Sequence, residues 1–322
     1  MRLRFLIFIF IYFILLIKAQ SQCCGAGNPV SGFENVSGVP NKTLLVSPLY
    51  KYSCSDRYFK GNEKATVSPD KMNYNFTSIN IAYGITHRLS IQGQIGYFIN
   101  KTKNYNITGW QPMRGFGLGD AEINIKYAVV KNLLKNFDII PGIGVKLPVG
   151  VFDQEVDNVK LPISLQPSSG SLKYNASLFI YKKFNKYSIS FQGLAEFANR
   201  IQSQNFDYKY GNLYLLSVYG SYKFNNVISF IAQVRYEYRG KSTRENEQIV
   251  ESSGGQVINF IPQINVIPVK GFGISIFPDI PIYRYMNGTQ IANKFAISLR
   301  LTKSFNLNKK IIYFDNYKTE TK

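Results

Sequence analysis

The sequence holds one histidine, His87, one tryptophan and three cysteines. So little imidazole and thiol leaves scant material for His- or Cys-based catalysis. Cys23 and Cys24 are adjacent and Cys54 is distant, which is no spacing for a metal site. Acidic residues are scarce too, 19 against 38 Lys and Arg, giving a net charge of +19. The basic residues are spread singly, with no dense basic run and no nucleic-acid module, so nucleic acid is not expected as a partner. Long apolar runs are missing after the first twenty residues, so no later helix is expected to span a membrane. Disorder is excluded, because hydrophobic residues make up 45% of the chain and charged ones 18%.

The one long apolar run is LIFIFIYFILLI (6–17). Arg2 and Arg4 precede it, and Lys18, Ala19 and a polar Gln-Ser-Gln follow. Residues 1–19 therefore read as a secretory signal peptide cleaved near Ala19. Gln20 and Gln22 are poor neighbours for a lipid-modified cysteine. In an oxidising compartment Cys54 could pair with Cys23 or Cys24, and the sequence leaves that open.

What the rest of the chain has in abundance is alternation. In KFAISLRLTKSF (294–305), Phe295, Ile297, Leu299, Leu301 and Phe305 share one face, with Lys303 among them. Ala296, Ser298, Arg300 and Thr302 share the other. AEINIKYAV (121–129), YSISFQGLAEF (187–197) and VISFIAQVRYEYR (227–239) repeat the pattern. Period two means strands. Stretches at 43–58, 89–100, 137–148, 172–184, 212–224, 256–268 and 272–283 behave alike, and no convincing amphipathic helix is found.

The connections sort by length. Tight turns at 85–88, 132–136, 184–187, 224–227 and 269–272 alternate with longer polar loops near 59–71, 101–118, 149–168, 200–209, 240–253 and 286–290. A soluble sandwich has no reason to sort its loops this way. A transmembrane barrel has short periplasmic turns and long outer loops. In lipid every backbone polar group must be paired, so a sheet spans only when closed. The expected fold is all-β, a transmembrane antiparallel barrel of about twelve strands over 43–305. Aromatics near the segment ends, such as Tyr97, Tyr181, Tyr222 and Tyr283, fit interfacial girdles. The expected partner is the lipid bilayer of the bacterial outer membrane. Residues 20–42, rich in Gly and Ser, form an N-terminal periplasmic segment that could plug the lumen, and 306–322 form a C-terminal tail.

Alternation also names the lumen-lining candidates: Glu122, Lys126, Asp138, Lys146, Lys173, Glu196, Arg235, Glu237, Arg239, Asp279 and Arg300, with Lys294 beside them. Such charges either brace the interior through ion pairs or line a polar path. A barrel of twelve strands falls between the filled eight-stranded ones and the open porins.

Other features carry less. GFGLGD (115–120) lacks the helix that a phosphate-binding fingerprint needs after it, so its glycines are expected to permit close backbone approach. His87 lies in a periplasmic turn, the wrong end for an outer-membrane hydrolase, and no catalytic residue, cofactor or metal is expected. Pro141, Pro262, Pro278 and Pro281 interrupt strands of a barrel that has no edge, so bulges or kinks are expected there, and these could open a lateral gap for a hydrophobic solute. Asn-x-Ser/Thr triplets at Asn35, Asn41, Asn75, Asn100, Asn106, Asn175 and Asn287 are what an Asn-rich chain produces by chance.

The closing LRLTKSF resembles the C-terminal strand signal of bacterial outer-membrane barrels, which implies recognition by the barrel-assembly machinery through the strand ending at Phe305. The tail beyond Phe305 departs from that pattern. GLGDAEINIKYAVV (117–130), PGIGVKLPVG (141–150) and FPDIPIYRYMNGTQ (277–290) resemble the phenol-degradation meta-pathway (MetA-type) family of outer-membrane proteins. That resemblance implies a barrel of about twelve strands and passive uptake of small solutes, aromatic or hydrophobic ones among them, with no catalytic residues. The alternative function is a structural or adhesive barrel with a blocked lumen.

Overall fold

The computed structural model describes residues 38–307, apart from 67–69, 108, 204 and 205. The signal peptide, Cys23 and Cys24, residues 20–37 of the N-terminal segment and the tail from 308 onward lie outside the described residues.

Eleven strand elements build one antiparallel wall: β1 (Thr43–Gly61), β2 (Lys71–Gly84), β3 (Leu89–Asn104), β4 (Met113–Tyr127), β5 (Phe137–Leu147), β6 (Lys173–Phe184), β7 (Tyr187–Ala198), β8 (Leu213–Lys223), β9 (Ile228–Arg239), β10 (Gly255–Val269) and β11 (Phe272–Asn306). Each pairs with the next. β11 returns to β1, with Asn306 opposite Thr43 and Arg300 opposite Leu49, and the wall closes. Two short strands, Glu63–Lys64 and Val130–Asn132, pair outside it on β1 and β5.

β11 is 35 residues long, too long for one crossing. Its residues 272–286 pair with β10 and its residues 286–306 with β1. The Ser304 N–H donates to the Gly271 carbonyl at 2.7 Å, so the element folds back on itself. The turn falls at Asn287-Gly288, where Gly288 has φ +60°, the left-handed region that glycine enters without strain. β11 thus supplies two staves, and the barrel has twelve.

The alternation faces as physics requires. Phe295, Ile297 and Leu299 are exposed on the outer wall, while Ala296, Ser298 and Arg300 are buried inside. Ile79, Ile81, Ile95, Ile123, Ile125, Ile189, Leu216 and Val234 continue the outer apolar band. Among the described residues no helix is long and apolar enough to cross a membrane.

The prolines act differently from one another. At Pro281 the register with β10 shifts between Ile258 and Asn259, the expected bulge. Pro141 lies where β5 changes partner, above its pairing with Val130 and below its pairing with Lys126. Pro262 and Pro278 shift nothing. The β10–β11 ladder lapses between Phe260↔Ile280 and Ile264↔Ile276 and resumes in the same register. In that register 262 and 278 are opposite each other. Where two opposed positions would exchange both N–H···O bonds, a proline at each removes the pair, since neither has an N–H to give.

The apolar band gives a direct prediction. Ile297→Arg, on the lipid face near mid-wall, is expected to cost about 2–4 kcal/mol in a bilayer. Urea unfolding of the protein in lipid vesicles reads this as a lowered midpoint.

Candidate functional site

The lumen carries two ionic networks on opposite walls. On the first, β5 Lys146 lies between carboxylates from β4 and β7. Its Nζ is 2.5 Å from Glu196 Oε2 and 3.5 Å from Glu122 Oε2. Lys173, from β6, stands 3.7 Å from the other Glu196 oxygen. Asn124 and Asn175 both donate to Glu122 Oε1, at 2.8 and 3.2 Å. The register explains the meeting: Glu122 is opposite Lys146, Lys146 opposite Lys173, and Asn175 opposite Glu196.

On the second wall Asp279 Oδ2 accepts from Lys51 Nζ at 2.6 Å and from Arg235 Nη2 at 3.3 Å. All three are buried. Arg300 lies on the face of Phe277, 4.8 Å from its centroid. Lys126 donates to Gln92 at 2.7 Å.

The alternation thus brings together Glu122, Lys146, Lys173 and Glu196 in one group, and Arg235 and Asp279 in another. Glu237 sits between Arg235 and Arg239 on β9, half-buried, and Arg239 stands at the outer end of that strand. Asp138 stands apart at the turn end of β5, opposite Tyr181 and Lys131. Lys294 is displaced from the lumen. A register shift beside it, between Cys54↔Phe295 and Ser55↔Asn293, turns it outward, where it is exposed and pairs with Asp56 at 2.7 Å.

An apolar cluster inside the lumen was not foreseen. Leu49, Phe76, Phe98, Ile261 and Phe277 pack together, all buried. The Phe76 and Phe98 rings meet tilted by 51° at 4.8 Å between centroids, and Lys101 lies over Phe98 at 4.6 Å. These residues occupy the same faces as Lys51, Ser78, Gln92 and Asp279. The available signal was a large aromatic on an otherwise polar face of its strand.

The connection between β5 and β6, residues 148–172, runs along the inner side of the wall. Asp120, wholly buried, accepts from the Ser168 hydroxyl at 2.7 Å, the Ser169 N–H at 2.9 Å and the Ser169 hydroxyl at 2.6 Å. Lys101 Nζ donates to the Gln166 carbonyl at 2.8 Å. Above Ala121, β4 has no strand neighbour on its β5 side. There the Gln154 carboxamide accepts from the Phe116 N–H at 3.1 Å and donates to the Phe116 carbonyl at 2.5 Å, standing in for a missing strand. The glycine run of GFGLGD makes room for this: a Cβ on Gly115 would sit 2.1 Å from the Leu165 carbonyl oxygen.

No protein-family model matches the chain, and no curated protein matches it. Solved structures do. An outer-membrane channel from Pseudomonas putida F1, of the group called COG4313, superposes with a TM-score of 0.70 at 15% identity, over 85% of this chain and 100% of that one. A monoaromatic hydrocarbon channel, TodX, as its deltaS2 mutant, superposes with a TM-score of 0.51 at 7% identity, over 90% of this chain and 97% of that one. The fold is that of outer-membrane β-barrel channels. Its closed wall, apolar exterior and polar-edged interior are those a β-barrel needs to cross a bilayer.

Removing one member of a buried ionic group exposes what it balanced. Asp279→Asn leaves Lys51 and Arg235 facing each other without a counter-charge, at a cost of about 3–5 kcal/mol. Urea titration in vesicles should show a lowered midpoint for this variant and a smaller change for Asp56→Asn at the exposed rim pair.

Proposed function

We propose that the protein is a passive channel for small hydrophobic solutes, aromatic ones among them, and a divergent member of the MetA-type family that its sequence resembles. The observation that carries this reading is the lumenal cluster of Leu49, Phe76, Phe98, Ile261 and Phe277. The cluster is closely packed, and a solute meets its apolar surface where the neighbouring wall opens.

The cluster adjoins the place where the wall is weakest. Ile261 and Phe277 flank Pro262 and Pro278, across which the β10–β11 ladder lapses. Opening the wall there breaks fewer hydrogen bonds than elsewhere, so the lapse is our candidate for lateral exit of a solute. Of the ionic candidates, Glu122, Lys126, Lys146, Lys173, Glu196, Arg235, Asp279 and Arg300 serve mainly to brace the lumen around this route. The segment before β1 fits a plug of the periplasmic mouth: Val39 packs on Ala82 and Leu45, and a Cβ at Gly38 would meet Ile140, on the far side of the barrel, at 3.6 Å. The inward seating of 148–172 favours the second reading, a structural barrel with its lumen blocked.

Uptake separates the two. In cells carrying the full chain in their outer membrane, toluene uptake should exceed that of cells without it. Pro262→Val with Pro278→Val supplies two N–H donors at the lapse, worth about 1 kcal/mol each. That should slow uptake by roughly tenfold or more. No gain in uptake from a correctly inserted wild-type barrel would favour the blocked one.

A further inference from the structure

We propose that the cavity beneath the outer loops binds an apolar monocarboxylate, with its head on Arg239. This names the solute class of the channel and rests on the channel reading. The cavity has a volume of about 350 Å³, within the range of small-molecule sites. Met72, Ile163 and Ile291 supply apolar wall, and Tyr208 and Tyr210 supply aromatic wall. The charged residues that line it, among the described ones, are Lys103 and Arg239, and no carboxylate does.

These two cations differ in what they already hold. Lys103 is paired with Asp70 at 3.0 Å. Arg239 forms no ion pair among the described residues, and its Nε, buried, has no hydrogen-bond partner among them. The carboxylates around it are committed or turned aside. Glu196 holds Lys146 at 2.5 Å and Lys173 at 3.7 Å. Glu237 lies two residues along β9, toward Arg235. A buried guanidinium nitrogen without an acceptor is costly. A planar carboxylate offers two oxygens in the geometry that a guanidinium fork matches.

One uncommitted cation suits a monoanion. A dianionic phosphate would leave charge unbalanced in a site whose other cation is already neutralised. Deeper in the lumen cations again lie on aromatic faces. Arg284 is 4.5 Å from the Phe59 centroid, with a buried Nη1 that lacks a partner among the described residues, and Arg300 lies over Phe277. An anionic head and an apolar body therefore find matched partners along the same wall.

The test is isothermal titration of the full chain in micelles with benzoate and with benzamide, its neutral counterpart of similar shape. Benzoate should bind more tightly than benzamide. Arg239→Gln should weaken benzoate by roughly tenfold or more, as loss of a charged hydrogen bond does, and leave benzamide nearly unchanged. Equal binding of the two probes by the wild type, or a benzoate preference that survives in Arg239→Gln, would overturn the proposal and leave the channel reading standing on toluene uptake. If Arg239→Gln loses both probes, Arg239→Lys decides. Retained preference for benzoate supports the site, and its absence rejects it. Binding of neither probe by the wild type rejects the site outright, while toluene uptake judges the channel separately.

Discussion

Everything in this molecule depends on the pairing of backbone N–H and C=O groups where water is absent. A strand in lipid leaves a row of costly unpaired groups on each side unless both neighbours are present. Closure through β11 and β1 on one side, and through the β5–β6 pairing on the other, joins the ladder into a ring. The sequence must then alternate, because one face of each stave meets lipid and the other meets the lumen. Two of the places where the wall departs from full pairing matter for that reason. At one, Gln154 supplies the missing donor and acceptor from a side chain. At the other, Pro262 and Pro278 leave the ladder without donors, next to the apolar cluster.

The lumen is therefore not a uniform polar pipe. Buried ions on one wall are locked by Glu196 and Glu122, and on the other by Asp279. Beside the Asp279 group, on the same wall, sits an aromatic cluster edged by cations. Arginine and lysine over aromatic rings can hold charge in a place where a carboxylate partner is lacking. An interior of this kind is what the proposed passage of an apolar solute calls for.

Much of the fold was legible in the residues. The alternation of Phe295, Ile297 and Leu299 with Ala296, Ser298 and Arg300 marks the two faces, and the sorted loop lengths mark the two ends. Charged lumen residues such as Lys146 and Glu196 emerge from the same period. Other features stayed hidden. Lys294 left its expected face because a local bulge breaks the period, which no composition rule locates. Phe76, Phe98 and Phe277 were hidden because an aromatic on a polar face looks like noise until partners from distant strands meet it. Asp120 was read with its glycine run, and its role appears only when residues 168 and 169, far along the chain, fold back onto it. Lys51, the partner of Asp279, is separated from it by most of the barrel sequence and could be paired only by closure.

The central claim, that the aromatic cluster is a solute path, is tested most directly by single-channel conductance of the full chain in a planar bilayer. Phenol, neutral at pH 7, is added on the side of the outer loops. The account predicts a low ionic conductance that phenol interrupts further, with interruptions more frequent as its concentration rises. A large, steady conductance indifferent to phenol would contradict it.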